Sequence, residues 1–353
     1  MRSRFRIPAR RITIVEPSLE GHRADQLAAI RSLLCGHDIY VDHEKASWCH
    51  MFTGDPLLFP TVDESFIPFL IIASVRAIFL RRTVAIWHRP KAATHGRSVR
   101  RWRRNAKYYA AKLIKFVPRV ALISVQKPQF QPEVATLFTD WIHQIADWYA
   151  PSLDPSEDSF LFAKLIRQHA KGRPIIIYLG AITHEKGFEF FTDLLWEDRM
   201  FCNEFAFVAA GKVNKHSADV VHRFIKGGGL LVDRYIADSE FVVGIEAADW
   251  VWNCYPPEND QNSGIFGFAY RAGARVIVRD ESYIGRVALD LQFPTVQIPY
   301  ADVKRGLEAI RSSRKLVVEK PKQATISFMK ERTRRHLCYH LGCSSVYEST
   351  NRS

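Results

Sequence analysis

Two stretches carry the residues whose types and spacing could do chemistry. Residues 258–278 read ENDQNSGIFGFAYRAGARVIV and change from polar, acidic and amide-rich to apolar halfway along. Ser263 is placed to cap a helix, because its hydroxyl can accept from first-turn amides, and Gly273 is placed to end it about ten residues later. The unpaired amides and dipole at such a helix start can hold an anion without any cationic side chain. Glu258, Asp260 and Asn262 lead into that start, and Gly264 opens it. The other stretch, YLGAITHEKGFEFFTDLL (178–195), reads as strand, loop and helix, with Gly180 in the loop and Lys186 before Gly187 at the helix start. A lysine there opposes the helix dipole, so its position calls for a reason. Two histidines follow strand ends: His88 in AIWHRP (85–90), and His22 beside Gly21 in EPSLEGHRADQL (16–27). An imidazole so placed could hydrogen-bond a substrate or steer a proton. There is no G-x-S-x-G, no H-E-x-x-H and no Walker loop, since GKVNK at 211 lacks the preceding glycines.

The elements that must position these residues alternate in period. Strands are expected at 12–15, 38–41, 83–87 and 120–125, with helices across 21–34, 65–80 and 99–117 between them. Prolines at 128, 132, 151 and 155 interrupt the rhythm. It restarts with strands at 174–179, 205–210, 230–232, 250–253 and 275–279, and helices at 185–196, 238–248 and after Ser263. This is the β-α-β pattern of parallel sheets covered on both faces. At 353 residues the chain exceeds one ordinary core. The expected division is 1–155, 156–325 and a basic C-terminal tail, 326–353.

Within that frame the chain resembles glycosyltransferases of the GT-B fold, in particular the retaining, nucleotide-sugar-dependent family 4, best over residues 175–285. The resemblance implies two doubly wound, Rossmann-like α/β domains facing across a cleft, the first on the acceptor side and the second holding the donor. It implies that Lys186 neutralises the donor diphosphate, with Gly180 and the backbone at Ser263 and Gly264 approaching the phosphates. Ala181 stands where the family has an arginine, and Lys212 in VAAGKVN is the candidate substitute. The family's two motif glutamates fall at Asp260 and Phe268, so Glu258 and Asp260 are expected to share the sugar contacts, with Asn262 also on the donor side. Gly21, His22 and His88 fall on the acceptor side, with His88, Lys186 and Asp260 as the catalytic set. The implied reaction moves a sugar from a nucleotide-diphosphate donor to a glycan or lipid-linked saccharide, with retention, the family's own outcome, and with no cofactor and no metal. The alternative is a degenerate GT-B protein that binds a sugar nucleotide or a partner without turnover.

A formal charge of +13 attracts anionic partners. It concentrates in HGRSVRRWRRNAKYYAAKLIKFV (95–117), where Val99, Trp102, Ala106, Tyr109, Leu113 and Phe116 are expected to line one helix face. Arg100, Arg101, Arg103, Arg104 and Lys107 then project elsewhere and suit an anionic membrane surface. Nucleic acid would use the same charges, but nothing beyond charge supports it. The longest apolar run, 66–80, is broken by Pro68 and Arg76 and falls short of the roughly 20 residues of a membrane span. The six cysteines are scattered without a C-x-x-C pair and read as reduced thiols, neither zinc site nor disulfide frame. The expected location is cytoplasmic, peripheral at the inner face of the plasma membrane.

Overall fold

The computed structural model describes residues 11–18, 22–44, 46–63, 65–90, 101–143 and 156–343. The chain divides into two compact units, residues 1–150 with 323–353, and residues 151–322.

The first unit is built on six parallel strands: β1 (Ile12–Val15), β2 (Ile39–Asp42), β3 (Leu57–Phe59), β4 (Thr83–Trp87), β5 (Val120–Ser124) and β6 (Asp140–Trp141). Their spatial order is β2-β1-β3-β4-β5-β6. Helices α1 (His22–Leu33), α2 (Phe66–Ile78), α3 (Arg101–Ile114) and the short α4 (Pro132–Ala135) connect them. β4 and β5 are buried along their whole length, as expected of strands covered on both faces. Arg76, which interrupts the apolar run of α2, is fully buried. Its guanidinium donates to the carbonyls of His50, Thr53, Asp55 and Arg82 and to the hydroxyls of Thr53 and Thr83. One cation thus organises the loop before β3, and burial lowers its pKa to about 10.

The second unit carries β7 (Ile175–Leu179), β8 (Ala206–Ala210), β9 (Leu230–Val232), β10 (Trp250–Asn253), β11 (Arg275–Arg279) and β12 (Thr295–Ile298). Its order is β12-β11-β10-β7-β8-β9, again all parallel. Its helices are α5 (Glu157–Ala170), α6 (Phe188–Glu197), α7 (Arg199–Glu204), α8 (Ala218–Lys226), α9 (Asp238–Ala247), α10 (Gly264–Ala272), α11 (Tyr283–Asp290) and α12 (Val303–Ser312). An aromatic core fixes α6 on the sheet: Phe191 stacks on Phe224 with centroids 5.7 Å apart and packs against Phe207 and Trp252.

The residues expected to form a separate basic tail fold instead as α13 (Gln323–Leu341), which belongs to the first unit. Four of its buried positions, Met329, Thr333, Leu337 and Leu341, recur every fourth residue and face α1 and β4. Arg82 donates to the carbonyls of Tyr339 and His340 at 3.0 and 3.1 Å, closing the negative end of the helix. His336 and His340 both bond Asp140 of β6.

Strand order reverses between β1 and β3 in one unit and between β7 and β10 in the other. In open parallel sheets, ligands bind outside the carboxyl ends of the strands at such a reversal.

Candidate functional site

In the second unit, both stretches singled out from the sequence leave the sheet at this reversal. Gly180 follows β7 with φ +91°, and Gly211 follows β8 with φ +153°. A Cβ on Gly211 would lie 1.9 Å from the Gly180 carbonyl oxygen, so only glycine allows the two backbones to meet. The loop then turns through His184–Lys186 into α6 at Gly187, whose φ is +73° and whose Cβ would lie 2.3 Å from the Cys254 carbonyl oxygen. Asn259 Nδ2 donates to the Glu185 carbonyl at 2.7 Å, pinning the loop after β10 to the loop after β7.

Lys186 folds back over Gly180. Its Nζ lies 2.8 Å from where a Gly180 Cβ would be, and Ile265 Cδ1 of α10 lies 3.6 Å from that same point. The lysine ammonium and the first turn of α10 therefore converge on one glycine. Ser263 caps that turn: its Oγ accepts from the Phe266 amide at 3.4 Å and donates to Asn253 Oδ1 at 2.7 Å, with Tyr255 Oη at 3.0 Å. Asn262 Oδ1 accepts from the Ser263 amide at 3.0 Å. Asn253 is itself buried, and its Nδ2 has no hydrogen-bond partner. In chemical terms, an ammonium group lies beside the first turn of a capped helix, with the side chains of Ile265 and Phe241 next to it, and a cation near a helix N-terminus suits an anion.

Other residues expected at this site lie as follows. Glu258 is exposed in the turn Pro257–Asn259. Asp260 has both oxygens engaged, one by Arg279 Nη2 at 2.9 Å and the Tyr283 amide at 2.6 Å, the other by Arg286 Nη2 at 3.3 Å. Lys212 pairs with Asp233 at 3.2 Å on the surface, 71% exposed. Asp233 is held below the usual carboxylate range by the Val213 amide first and by Lys212 second. Ala181 is exposed, while Phe268 is buried 6.2 Å from Phe241, so it serves the core. Gly211, Asn253, Arg279 and Arg286 were missed. The doublet Gly211–Lys212 was read for its lysine and as a failed Walker loop, and its value lay in the glycine.

In the first unit, Gly21 lies outside the described residues, and His22 is the first residue of α1. His88 Nε2 is 3.0 Å from the Pro60 carbonyl and so donates to it, while the His88 amide donates to Asp63 at 3.1 Å. Glu16, at the carboxyl end of β1, went unnoticed; it is buried, accepts from the Ser18 amide and Arg23, and burial raises its pKa.

Helix α3 corrects the sequence reading at Lys107. Lys107, expected to face a membrane, turns inward: Nζ donates to the Asp63 carbonyl at 3.1 Å and sits over the rings of Phe66 and Trp87. Of the stripe expected along one face, Tyr109, Leu113 and Phe116 point out, 61%, 68% and 74% exposed. Ala111 and Ile114 pack into the core of the first unit. Arg100 and the side chains of Arg101, Arg103 and Arg104 lie outside the described residues. No described helix is long and apolar enough to cross a membrane.

No family model matches this chain, and no curated protein sequence matches it. Among solved structures, HepE from Anabaena, in complex with UDP and glucose, aligns with a TM-score of 0.59 at 11% identity, covering 94% of this chain and 95% of that one. Sucrose-phosphate synthase from Thermosynechococcus elongatus aligns at 0.58 with 12% identity, covering 94% and 95%. WaaG, a glycosyltransferase involved in lipopolysaccharide biosynthesis, aligns at 0.51 with 13% identity and 96% of each chain. At these identities the likeness establishes the fold: two Rossmann-like α/β units of the GT-B class.

Proposed function

We propose that the chain is a glycosyltransferase that moves a sugar from a nucleotide-diphosphate donor to a glycan or lipid-linked saccharide, retaining configuration at the sugar. The observation that carries this reading is the convergence of Lys186 and the first turn of α10 on Gly180, at the point where strand order reverses. The UDP and glucose held by HepE, a protein of the same fold, support it.

In this reading, departure of the nucleoside diphosphate places growing negative charge between Lys186 Nζ and the amides of Gly264 and Ile265. Both are fixed before reaction by the Gly187 and Ser263 contacts, so little reorganisation is needed as charge develops. The protein supplies the positive field, and the step requires no metal. Glu258 takes the sugar hydroxyls; Asp260, tied to Arg279 and Arg286, holds the loop after β10 in place. His88, with its proton directed at Pro60, belongs to the acceptor side. The acceptor hydroxyl attacks from the face that the leaving group vacates.

An anionic membrane surface is the proposed partner of the first unit. Of the 50 Lys and Arg residues, 15 lie in residues 65–132, which contain no Asp or Glu; the other 35 face 37 acids. This stretch therefore holds the entire positive excess, and it bears the outward Tyr109, Leu113 and Phe116. Apolar groups among cations suit the boundary of an anionic bilayer.

Assay of the chain with a panel of nucleotide sugars, with and without saccharide acceptors, tests the proposal. Turnover of one donor supports it. Tight donor binding with no turnover on any acceptor favours a non-catalytic sugar-nucleotide binder, the reading to which Ala181 and the buried Phe268 lend weight. Absence of donor binding rejects both.

A further inference from the structure

We propose that His37, Cys338 and Cys343 form a binding site for a thiophilic divalent cation, zinc above all, that ties the two ends of the first unit together. Their ligand atoms all lie within 4.8 Å of one another, and Cys338 Sγ is 4.0 Å from His37 Nε2. In a tetrahedral zinc site with bonds of about 2.0–2.3 Å, neighbouring ligand atoms stand roughly 3.5–3.8 Å apart. A contraction of no more than about 1 Å completes the site, within reach of side-chain rotation alone.

The backbone is already shaped for this. His37 follows Gly36, whose φ of +92° turns the chain out of α1. Cys338 is buried in the last turn of α13, and Gly342 with φ +70° brings the chain back so that the Cys343 amide donates to the Cys338 carbonyl at 3.0 Å. A Cβ on Gly342 would lie 2.3 Å from Arg82 Nε, so the turn packs closely on the Arg82 side chain, just before β4.

The donor set selects the ion. Two thiols and an imidazole suit zinc and related soft or borderline cations and reject magnesium and calcium, which take oxygen ligands. Two thiolates also neutralise a divalent charge. His37 and Cys343 are half-buried, so solvent takes the fourth position. No C-x-x-C signature announces the site, because His37 and Cys338 are 301 residues apart in sequence. Nothing in the proposed sugar-transfer step draws on it, and its role is to clamp α13 to the turn after α1.

The test uses the full chain purified without chelators. Elemental analysis is expected to find about one zinc per chain, and Co²⁺ exchange to give thiolate-to-cobalt charge-transfer and tetrahedral ligand-field bands. His37→Gln and Cys343→Ser, at half-buried positions that leave the core intact, are expected to lose both signals. Cys49→Ser, an exposed thiol elsewhere in the unit, is expected to keep them. Chelation should lower the Tm of the wild type by at least about 3 °C and leave that of Cys343→Ser unchanged. A metal-free wild type whose cobalt spectrum matches that of the variants would overturn the proposal. So would a Cys338–Cys343 disulfide in the freshly purified protein, which would make the pair a redox element.

Discussion

The turn carrying Lys186 depends on a glycine, and Gly187→Ala tests how much. Two costs add. The residue has φ +73°, a conformation that costs a residue with a Cβ about 1–2 kcal/mol. The new Cβ would also lie 2.3 Å from the Cys254 carbonyl oxygen, where ordinary contact begins at 3.4 Å. Some 1.1 Å must therefore be found by moving backbone in the loop after β7 or the loop after β10, as the difference between those two distances shows. Overpacking of that kind costs about 1–3 kcal/mol, for a total of about 2–5 kcal/mol. Gly228→Ala separates the parts, because Gly228 has φ +90° in the same unit but nothing within 4 Å of its Cβ position. Gly54→Ala, with open space and no positive φ, should stay within about 0.5 kcal/mol of wild type. Stability is read by urea unfolding, and hydrogen exchange locates the effect, since two units need not unfold together. Amides of β7 and β10 are expected to lose protection in Gly187→Ala while those of β4 and β5 keep theirs. Nucleoside-diphosphate affinity is expected to fall at least about tenfold, because the displaced turn carries the lysine. Equal losses in Gly187→Ala and Gly228→Ala would mean that the clash with Cys254 does not exist, and the loop architecture described above would be wrong.

Other outcomes follow from the same contacts. Arg76→Met should destabilise the first unit by about 3–5 kcal/mol in urea titration, because four backbone carbonyls lose a charged donor. Those of His50, Thr53 and Arg82 keep the Thr53 hydroxyl, Arg81 and the Leu57 amide. Acid should weaken this unit in two stages. His143 is kept neutral by burial, with its pKa lowered to about 3, so its unfolded form takes up protons first and stability falls from about pH 6.5 towards 3. Asp140 would be pushed up by burial, but hydrogen bonds from His340, the Trp141 amide and His336 bring it down to about 2. Its contribution is present above the unfolded carboxylate pKa and is lost as pH falls through about 2; Asp140→Asn should remove that second stage alone from the pH-dependent Tm. Replacing Tyr109, Leu113 and Phe116 with serine should release the chain from anionic vesicles in a co-sedimentation assay. Lys107→Gln should leave vesicle binding intact and lower Tm, since that ammonium faces Phe66 and Trp87.

Much of the second unit was legible in the sequence because its signals are local. Continuous apolar runs such as ITIV and WVWN give strands, and Ser263 and Gly273 fix the ends of α10 to the residue. What escaped was set by tertiary contact. β3 is three residues between Pro56 and Pro60, too short for any period to declare itself, yet it is the strand at which the first sheet reverses. Helix α13 carries charged residues on most of its surface, and only its packing on α1 and β4 reveals which five positions are inside. In α3 the spacing rule found an apolar stripe but could not say which side faces the core, where Ala111 and Ile114 pack. At the candidate site, Lys186, Gly180 and Ser263 stood out by type and position. The pairing of Asp260 with Arg279 and Arg286 did not, since nothing in the spacing of 260, 279 and 286 shows that a strand and a helix bring them together.

The central claim is that Lys186 and the first turn of α10 receive a diphosphate. Crystals of the chain grown with a nucleoside diphosphate test it directly. The account predicts phosphate density within hydrogen-bond distance of Lys186 Nζ and of the Gly264 and Ile265 amides. Density at full occupancy elsewhere on the chain, with that site holding only solvent, would contradict it.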